Sequence, residues 1–317
     1  MASLKKKLNL LYLTVVLLSC AWYINANTES LKAGFATLDF YWLIASVVLL
    51  PPIYIGLLLN FVSTQQAVEQ PRRPLTWTQW FCGFIFGHVG RYVPGKVAMI
   101  FGRIHYFQRF GFSKKALTIS TLYENLFLVI VSTMLAFPAL AAALQSGKDV
   151  MHYVYAGVAF MVLALLFIGS PYFEKSFLLA LKVLKMEAPE NSLFLKKRQI
   201  FRILPYSVVV VAFTGTALFA LVRCFTPLPW TVYNVSMVVS TYSLASAAGI
   251  LALFAPSGIG VREGVAAYLL GGCLHLVNPA VLVVALVVFR IVLMAAEFLM
   301  LGLAWWLAGK ANPVDPV

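Results

Sequence analysis

Long apolar runs, interrupted by short polar or Pro/Gly-containing stretches, organise this chain. Crossing the ~30 Å hydrocarbon core of a bilayer takes about 20 apolar residues. Runs of that order lie at roughly 8–26, 38–62, 117–140, 152–170, 203–224, 231–254 and 279–308. They predict an all-α polytopic transmembrane helix bundle of about seven or eight spans, with one or two re-entrant or broken helices. The last run would be ~45 Å long as one helix at 1.5 Å per residue. It must therefore tilt, extend past the bilayer or bend. The longest polar stretch, about 173–202, has the size of a loop. Residues 1–317 accordingly read as one integral membrane domain.

Two regions break the pattern. Residues 79–102 are apolar but contain Gly90-Arg91-Tyr92-Val93-Pro94-Gly95-Lys96. Strongly basic stretches flank them, with Arg72 and Arg73 before and Arg103, Arg109, Lys114 and Lys115 after. A single span would put one basic cluster outside, whereas a hairpin turning at Pro94-Gly95 keeps both inside. Pro donates no backbone hydrogen bond and Gly tolerates positive φ, so this dipeptide suits a re-entrant turn. The second region reads Ala-Pro-Ser-Gly-Ile-Gly-Val-Arg-Glu-Gly over 255–264, with turn residues Pro256, Gly258 and Gly260. A short apolar piece to His275 and then Asn278-Pro279 follow, as either a second re-entrant arm or a broken span. Paired broken segments in the two halves of a chain point to a transporter site.

Composition reinforces the membrane reading and adds a sign. The chain is 62% hydrophobic and 11% charged, with a mean hydropathy of +0.88. Its net charge is +13, and the cations cluster at Lys5–Lys7, Arg72/Arg73, Arg103–Lys115 and Lys175–Arg202. The positive-inside rule explains these clusters, which puts the N-terminus in the cytoplasm and makes nucleic acid an unneeded partner. Lys5–Lys7 before an apolar run resembles a signal peptide, and Leu17-Leu18-Ser19-Cys20 resembles a lipoprotein cleavage box. An uncleaved first span is expected instead, because the rest of the chain is itself embedded. The four cysteines and four histidines show no metal-ligand spacing, so no cofactor or metal is expected. Trp77, Trp80, Trp230, Trp305 and Trp306 near run ends suggest an interfacial belt.

The informative charges are those inside apolar runs, because an ionisable group there costs at least ~2.5–3.5 kcal/mol at a helix centre. Arg91 and Lys96 flank the first break. Either they receive a lipid phosphate, helped by the free N–H groups of the following helix start, or they snorkel or pair with acids. Glu124 could neutralise one of them or relay a proton. Arg262, followed by Glu263, is a second phosphate candidate, or belongs to an intramembrane ion pair that fixes the fold. Arg290 and Glu297 share one face of the last helix, two turns apart. Their expected partners are Glu263 or Glu124 for Arg290, and Arg262 for Glu297. Arg223 reads as a snorkelling anchor at a span end.

Gly90–Lys96, Glu124 after a short Ser/Thr stretch, Pro256–Gly264 and Arg290 with Glu297 together resemble the lysylphosphatidylglycerol synthase/flippase membrane-region family. The family's second motif usually has Pro-Gly-Gly where this chain has Pro256-Ser257-Gly258. The resemblance covers nearly the whole chain. It implies a flippase-like domain of the inner membrane, which in the best-known members moves an aminoacylated phospholipid between leaflets. The sequence holds no soluble aminoacyltransferase part, so lipid synthesis is not expected of it alone. The resemblance leaves the cargo open; together with the embedded charges it points to an anionic phospholipid or a polyprenyl-phosphate-linked lipid, with Arg91, Lys96, Arg262 and Arg290 as candidate phosphate ligands. Glu124, Glu263 and Glu297 would pair charges or carry protons. No Gly-rich ATPase loop is present, so transport would be downhill or ion-coupled. Two further readings are an intramembrane transferase acting on a lipid phosphate or polyprenyl-linked sugar, and a non-catalytic scaffold of an envelope-synthesis complex, as homo-oligomer or with biosynthetic partners. The transferase would need paired carboxylates, and no DxD or DDxxD motif occurs.

Overall fold

The computed structural model describes residues 39–92, 97–144, 195–252 and 255–310, with single positions 159, 172 and 175. The runs at 8–26 and 152–170, and Pro94, Gly95 and Lys96, lie outside the described residues. The rest is an all-α transmembrane bundle. Five stretches are long and apolar enough to cross a membrane: Phe40–Val68, Lys114–Leu135, Lys197–Phe225, Val232–Leu251 and Pro279–Gly309.

The first crossing is jointed. Helix α1 (Phe40–Val48) meets α2 (Leu50–Val68) at Leu49, and Pro51 and Pro52 occupy the first turn of α2. There the missing N–H groups would have had no helical partner anyway. The run at 117–140 is likewise divided. Helix α5 (Lys114–Leu135) ends at Ala136 and a short α6 (Phe137–Leu144) follows, with Pro138 in its first turn. Pro138 removes the donor that would have continued the ladder.

Helix α3 (Trp77–His88), a 3₁₀ turn (Val89–Tyr92) and α4 (Val97–Phe107) form the hairpin expected over 79–102. The arms have 12 and 11 residues, about 18 and 16 Å at 1.5 Å per residue, so neither crosses alone. The first arm starts in a capping box, Thr76 Oγ1 accepting from Gln79 N–H and Gln79 Oε1 from Thr76 N–H. The arms press together through small residues, as helices in lipid do. A side-chain carbon at Gly83 would meet the Phe107 and Tyr106 rings, and one at Gly87 the Arg103 stem. The two flanks of the hairpin meet at one end of the bundle. Ser113 N–H donates to Glu69 Oε2 at 2.8 Å, and Gly111 abuts the Arg72 side chain. This is the geometry the twin basic flanks demand.

After α7 (Lys197–Phe225) and α8 (Val232–Leu251), the chain reverses through Pro256–Gly258. Ser257 (φ 51°), Gly258 (φ 72°) and Gly260 (φ 83°) take left-handed backbone there. Gly258 lies against Gly249 of α8 so closely that a side chain would meet its backbone at 2.7 Å. Helix α9 (Val261–Ala267) then continues as a π-helical turn, Tyr268–Cys273. Together they run about 20 Å, so this piece too is a short arm. Asn278 Oδ1 accepts from Ala280 N–H at 2.9 Å and starts α10, an unbroken helix of 32 residues (Pro279–Lys310). Helix α10 packs against α3, α7 and α9.

Aromatic rings fill the centre, with Phe61, Trp80, Phe84, Phe107 and Phe112 in mutual contact. Trp80 therefore belongs to the core and not to an interfacial belt, while Trp77, Trp230, Trp305 and Trp306 are exposed. A buried polar seam ties α2 to its neighbours. Asn60 Nδ2 donates to Ser207 Oγ at 3.0 Å, and the Ser120 hydroxyl donates to Gln65 Oε1. Such bonds replace the water that lipid cannot supply.

Candidate functional site

Glu297 lies in the second half of α10 and is 1% exposed. Its carboxylate collects donors from three elements. Arg91, in the turn after α3, donates through Nη2, and its neighbour Tyr92 donates at 2.8 Å. Tyr54 of α2 offers its hydroxyl at 3.1 Å, shared with the Leu293 carbonyl at 3.0 Å. His88 Nε2, at the end of α3, stands 3.7 Å away. One carboxylate thus anchors the first broken segment to the last helix.

Two turns earlier on α10, Arg290 anchors the second broken segment. Its Nη2 donates to the carbonyl of Ser257, a residue with positive φ, at 2.7 Å. Arg262 opens α9, and its stem passes over Gly249 at a distance only glycine permits. Glu263 does not pair with it. Its Oε2 accepts from Gly260 N–H at 2.7 Å and closes the N-terminus of α9, where a negative charge also suits the helix dipole. No carboxylate lies within 4 Å of Arg262 or Arg290 among the described residues.

The two segments touch, and a cavity of about 90 Å³ lies beside them. Arg91, Arg262 and Glu297 line it together with Tyr54, Ser132 and Ser246. Arg91 Nε, Arg262 Nε and Ser132 Oγ are buried and have no hydrogen-bond partner among the described residues. Buried polar groups normally find partners. The two guanidinium atoms can only donate and a hydroxyl can do so, so the cavity's unmet demand is for acceptor oxygens. Among the described residues its lining charges are two cations against one anion. Arg290 Nε and Nη1 are also unpartnered among the described residues, but Arg290 does not line this cavity.

Glu124 is elsewhere. Buried in α5, it accepts from Arg103 Nη1 at 2.6 Å, with Thr121 Oγ1 2.9 Å from the same nitrogen. Arg103 of α4 is 0% exposed, and its guanidinium lies 4.3 Å from the Phe61 ring centroid. The expected partners therefore change. Glu124 meets Arg103, not Arg91 or Arg290, and the expectation for Lys96 lies outside the described residues. Glu297 meets Arg91 and not Arg262. In the sequence Arg103 belongs to the basic flank, because it follows Gly102 at the edge of the apolar run. Its position on the α4 face that packs against Gly87 draws it inside instead. Arg223 stacks 4.0 Å over Trp42, an amphipathic contact at a helix end.

Sequence reasoning also passed over Tyr54, His88 and Tyr92. Tyr92 sits inside the motif beside Arg91, and His88 is a lone imidazole in an apolar arm, so both carried a signal. Tyr54 looks like any interfacial tyrosine and carried none. No curated protein matches the chain. The model of the lysylphosphatidylglycerol synthase TM region matches residues 9–300, a stretch that includes both broken segments, Arg290 and Glu297. The chain belongs to that family.

Proposed function

We propose that this protein is a lipid translocase that carries an anionic phospholipid or a polyprenyl-phosphate-linked lipid across the inner membrane. The phosphate is received at the paired breaks. Arg91 and Arg262 supply the walls of the cavity, Arg290 stiffens the second break from behind, and Lys96 adds charge at the first. The observation that carries this reading is the cavity itself: cations from two separate segments, with unpartnered donors and one acid to match them among the described residues. A phosphate offers several acceptor oxygens and negative charge, and Arg presents donors in a fork that fits it.

Glu297 gives the site a way to release its cargo. It already occupies Arg91, so an arriving phosphate competes with a resident carboxylate, and the return of that carboxylate expels the phosphate. Both breaks hang on one face of α10, so movement of either segment changes access to the cavity. Family membership and the basic flanks that meet at the base of the hairpin support the same reading.

The test is lipid flipping in proteoliposomes, read by dithionite bleaching of fluorescent phosphatidylglycerol or polyprenyl phosphate. Wild type is expected to flip. Arg91→Ala and Arg262→Ala, matched for folding, are expected to slow it at least about tenfold, the effect of losing ~1.4 kcal/mol of binding. Wild-type flipping that both variants retain in full refutes the site. No flipping of either lipid refutes the translocase and favours the transferase or the scaffold.

A further inference from the structure

On the outer side of the same bundle, the end of α1 together with α2, α3 and α10 encloses a groove of about 450 Å³. Its lining includes Val47, Ile55, Leu58, Phe81, Ala296 and Leu299. Among the described residues Tyr54 supplies its one polar side-chain atom, and that hydroxyl is turned inward to Glu297. Leu299 is 75% exposed and Ile55 56%, so the groove opens outward, towards lipid. Its size falls in the range of ligand sites, about 300–1,000 Å³.

The groove and the polar cavity share Tyr54 as their common wall. On α10 they are also neighbours in sequence, with Ala296 facing the groove and Glu297 the cavity. An amphiphile whose phosphate enters the cavity has its hydrocarbon within reach of the groove. Apolar surface gains nothing merely by leaving lipid for protein, so the groove acts by position. With the phosphate held, seating of the chain becomes an intramolecular event at high effective concentration.

We propose that this groove seats the hydrocarbon chain of the lipid whose phosphate occupies the neighbouring cavity, with Tyr54 as the partition between the two; this rests on the phosphate reading above. Tyr54 reports one side to the other. Its ring meets the chain and its hydroxyl holds Glu297, so filling of the groove and the Arg91–Glu297 contact are mechanically linked.

The experiment uses calorimetry on the purified full chain with long-chain phosphatidylglycerol, its short-chain analogue and glycerol phosphate. Ala296→Phe fills the groove from α10. Leu299→Trp obstructs its rim at an exposed position that cannot disturb the core. Wild type is expected to bind the long-chain lipid at least about tenfold tighter than the short-chain one. Both variants are expected to lose that advantage while binding glycerol phosphate unchanged. Variants that keep the full preference overturn the groove and leave the phosphate site standing. Long-chain binding that survives Arg91→Ala and Arg262→Ala but falls with Ala296→Phe supports a chain seat and overturns the phosphate reading. Ready disulfide formation between Leu299→Cys and a cysteine introduced within residues 8–26 identifies that segment as the occupant and overturns the proposal.

Discussion

Two buried carboxylates of similar sequence appearance do different work. Glu124 meets Arg103 in a closed contact, with Thr121 and the Phe61 ring around it. Removing one member of a buried ion pair strands the other, at a cost of about 3–5 kcal/mol, whereas replacing both with apolar side chains can be neutral. Arg103→Ala is therefore expected to lower stability by that amount, and Arg103→Met/Glu124→Leu by less than either single change. Thermal unfolding in detergent checks this, and additive losses would contradict it. Glu297 instead lines a cavity while it holds Arg91. Glu297→Gln should free Arg91 and raise glycerol phosphate affinity several-fold by calorimetry. Unchanged affinity would remove Arg91 from the phosphate site. Embedded acids and arginines were legible as residues that need partners, but which partner each takes was not. A charge's cost in lipid is local, while its relief comes from side chains such as Arg91 and Glu297, 206 positions apart.

At the scale of elements, the paired breaks were readable from Pro, Gly and charge alone. Twin basic flanks required a hairpin over 79–102, and the contacts of Glu69 with Ser113 and of Arg72 with Gly111 close its base. Cysteines placed at Pro74 and Gln108, both exposed, are thus expected to react with an impermeant maleimide from the same side of the membrane. Labelling from opposite sides would turn the hairpin into a crossing. The second break was harder to assign, because its charges balance locally. The left-handed backbone at Ser257, Gly258 and Gly260 turns the chain back along α8. The division of the 117–140 run at Ala136 was marked in advance only by Pro138, a weak signal within so apolar a stretch.

Across the whole molecule, positive charge exceeds negative both overall and at the cavity. Net charge is +13, and the cavity sets Arg91 and Arg262 against Glu297. A ligand that binds only the folded state stabilises it by about 2.7 kcal/mol at a hundredfold excess over its dissociation constant. Long-chain phosphatidylglycerol is therefore expected to raise the unfolding temperature in detergent more than phosphatidylcholine does, and Arg91→Ala/Arg262→Ala to abolish the difference. An equal rise with both lipids would assign the effect to general solvation and not to the site.

Sequence by itself determined the all-α membrane bundle, the two broken segments and the family motifs. Lipid offers no hydrogen bonds, so each segment must satisfy its own backbone or declare by Pro and Gly that it does not. Those rules act over one or two helical turns and are written locally. Only the tertiary structure decided that Arg91 holds Glu297, that Arg103 turns inward to Glu124, that Glu263 closes a helix start, and that Tyr54 divides a polar cavity from an apolar groove. Each of these depends on which faces of distant helices meet, and in an almost uniformly apolar chain hydrophobic periodicity does not select those faces. They are set by small residues that permit close approach, such as Gly87 and Gly249, and by the few polar groups that must find one another.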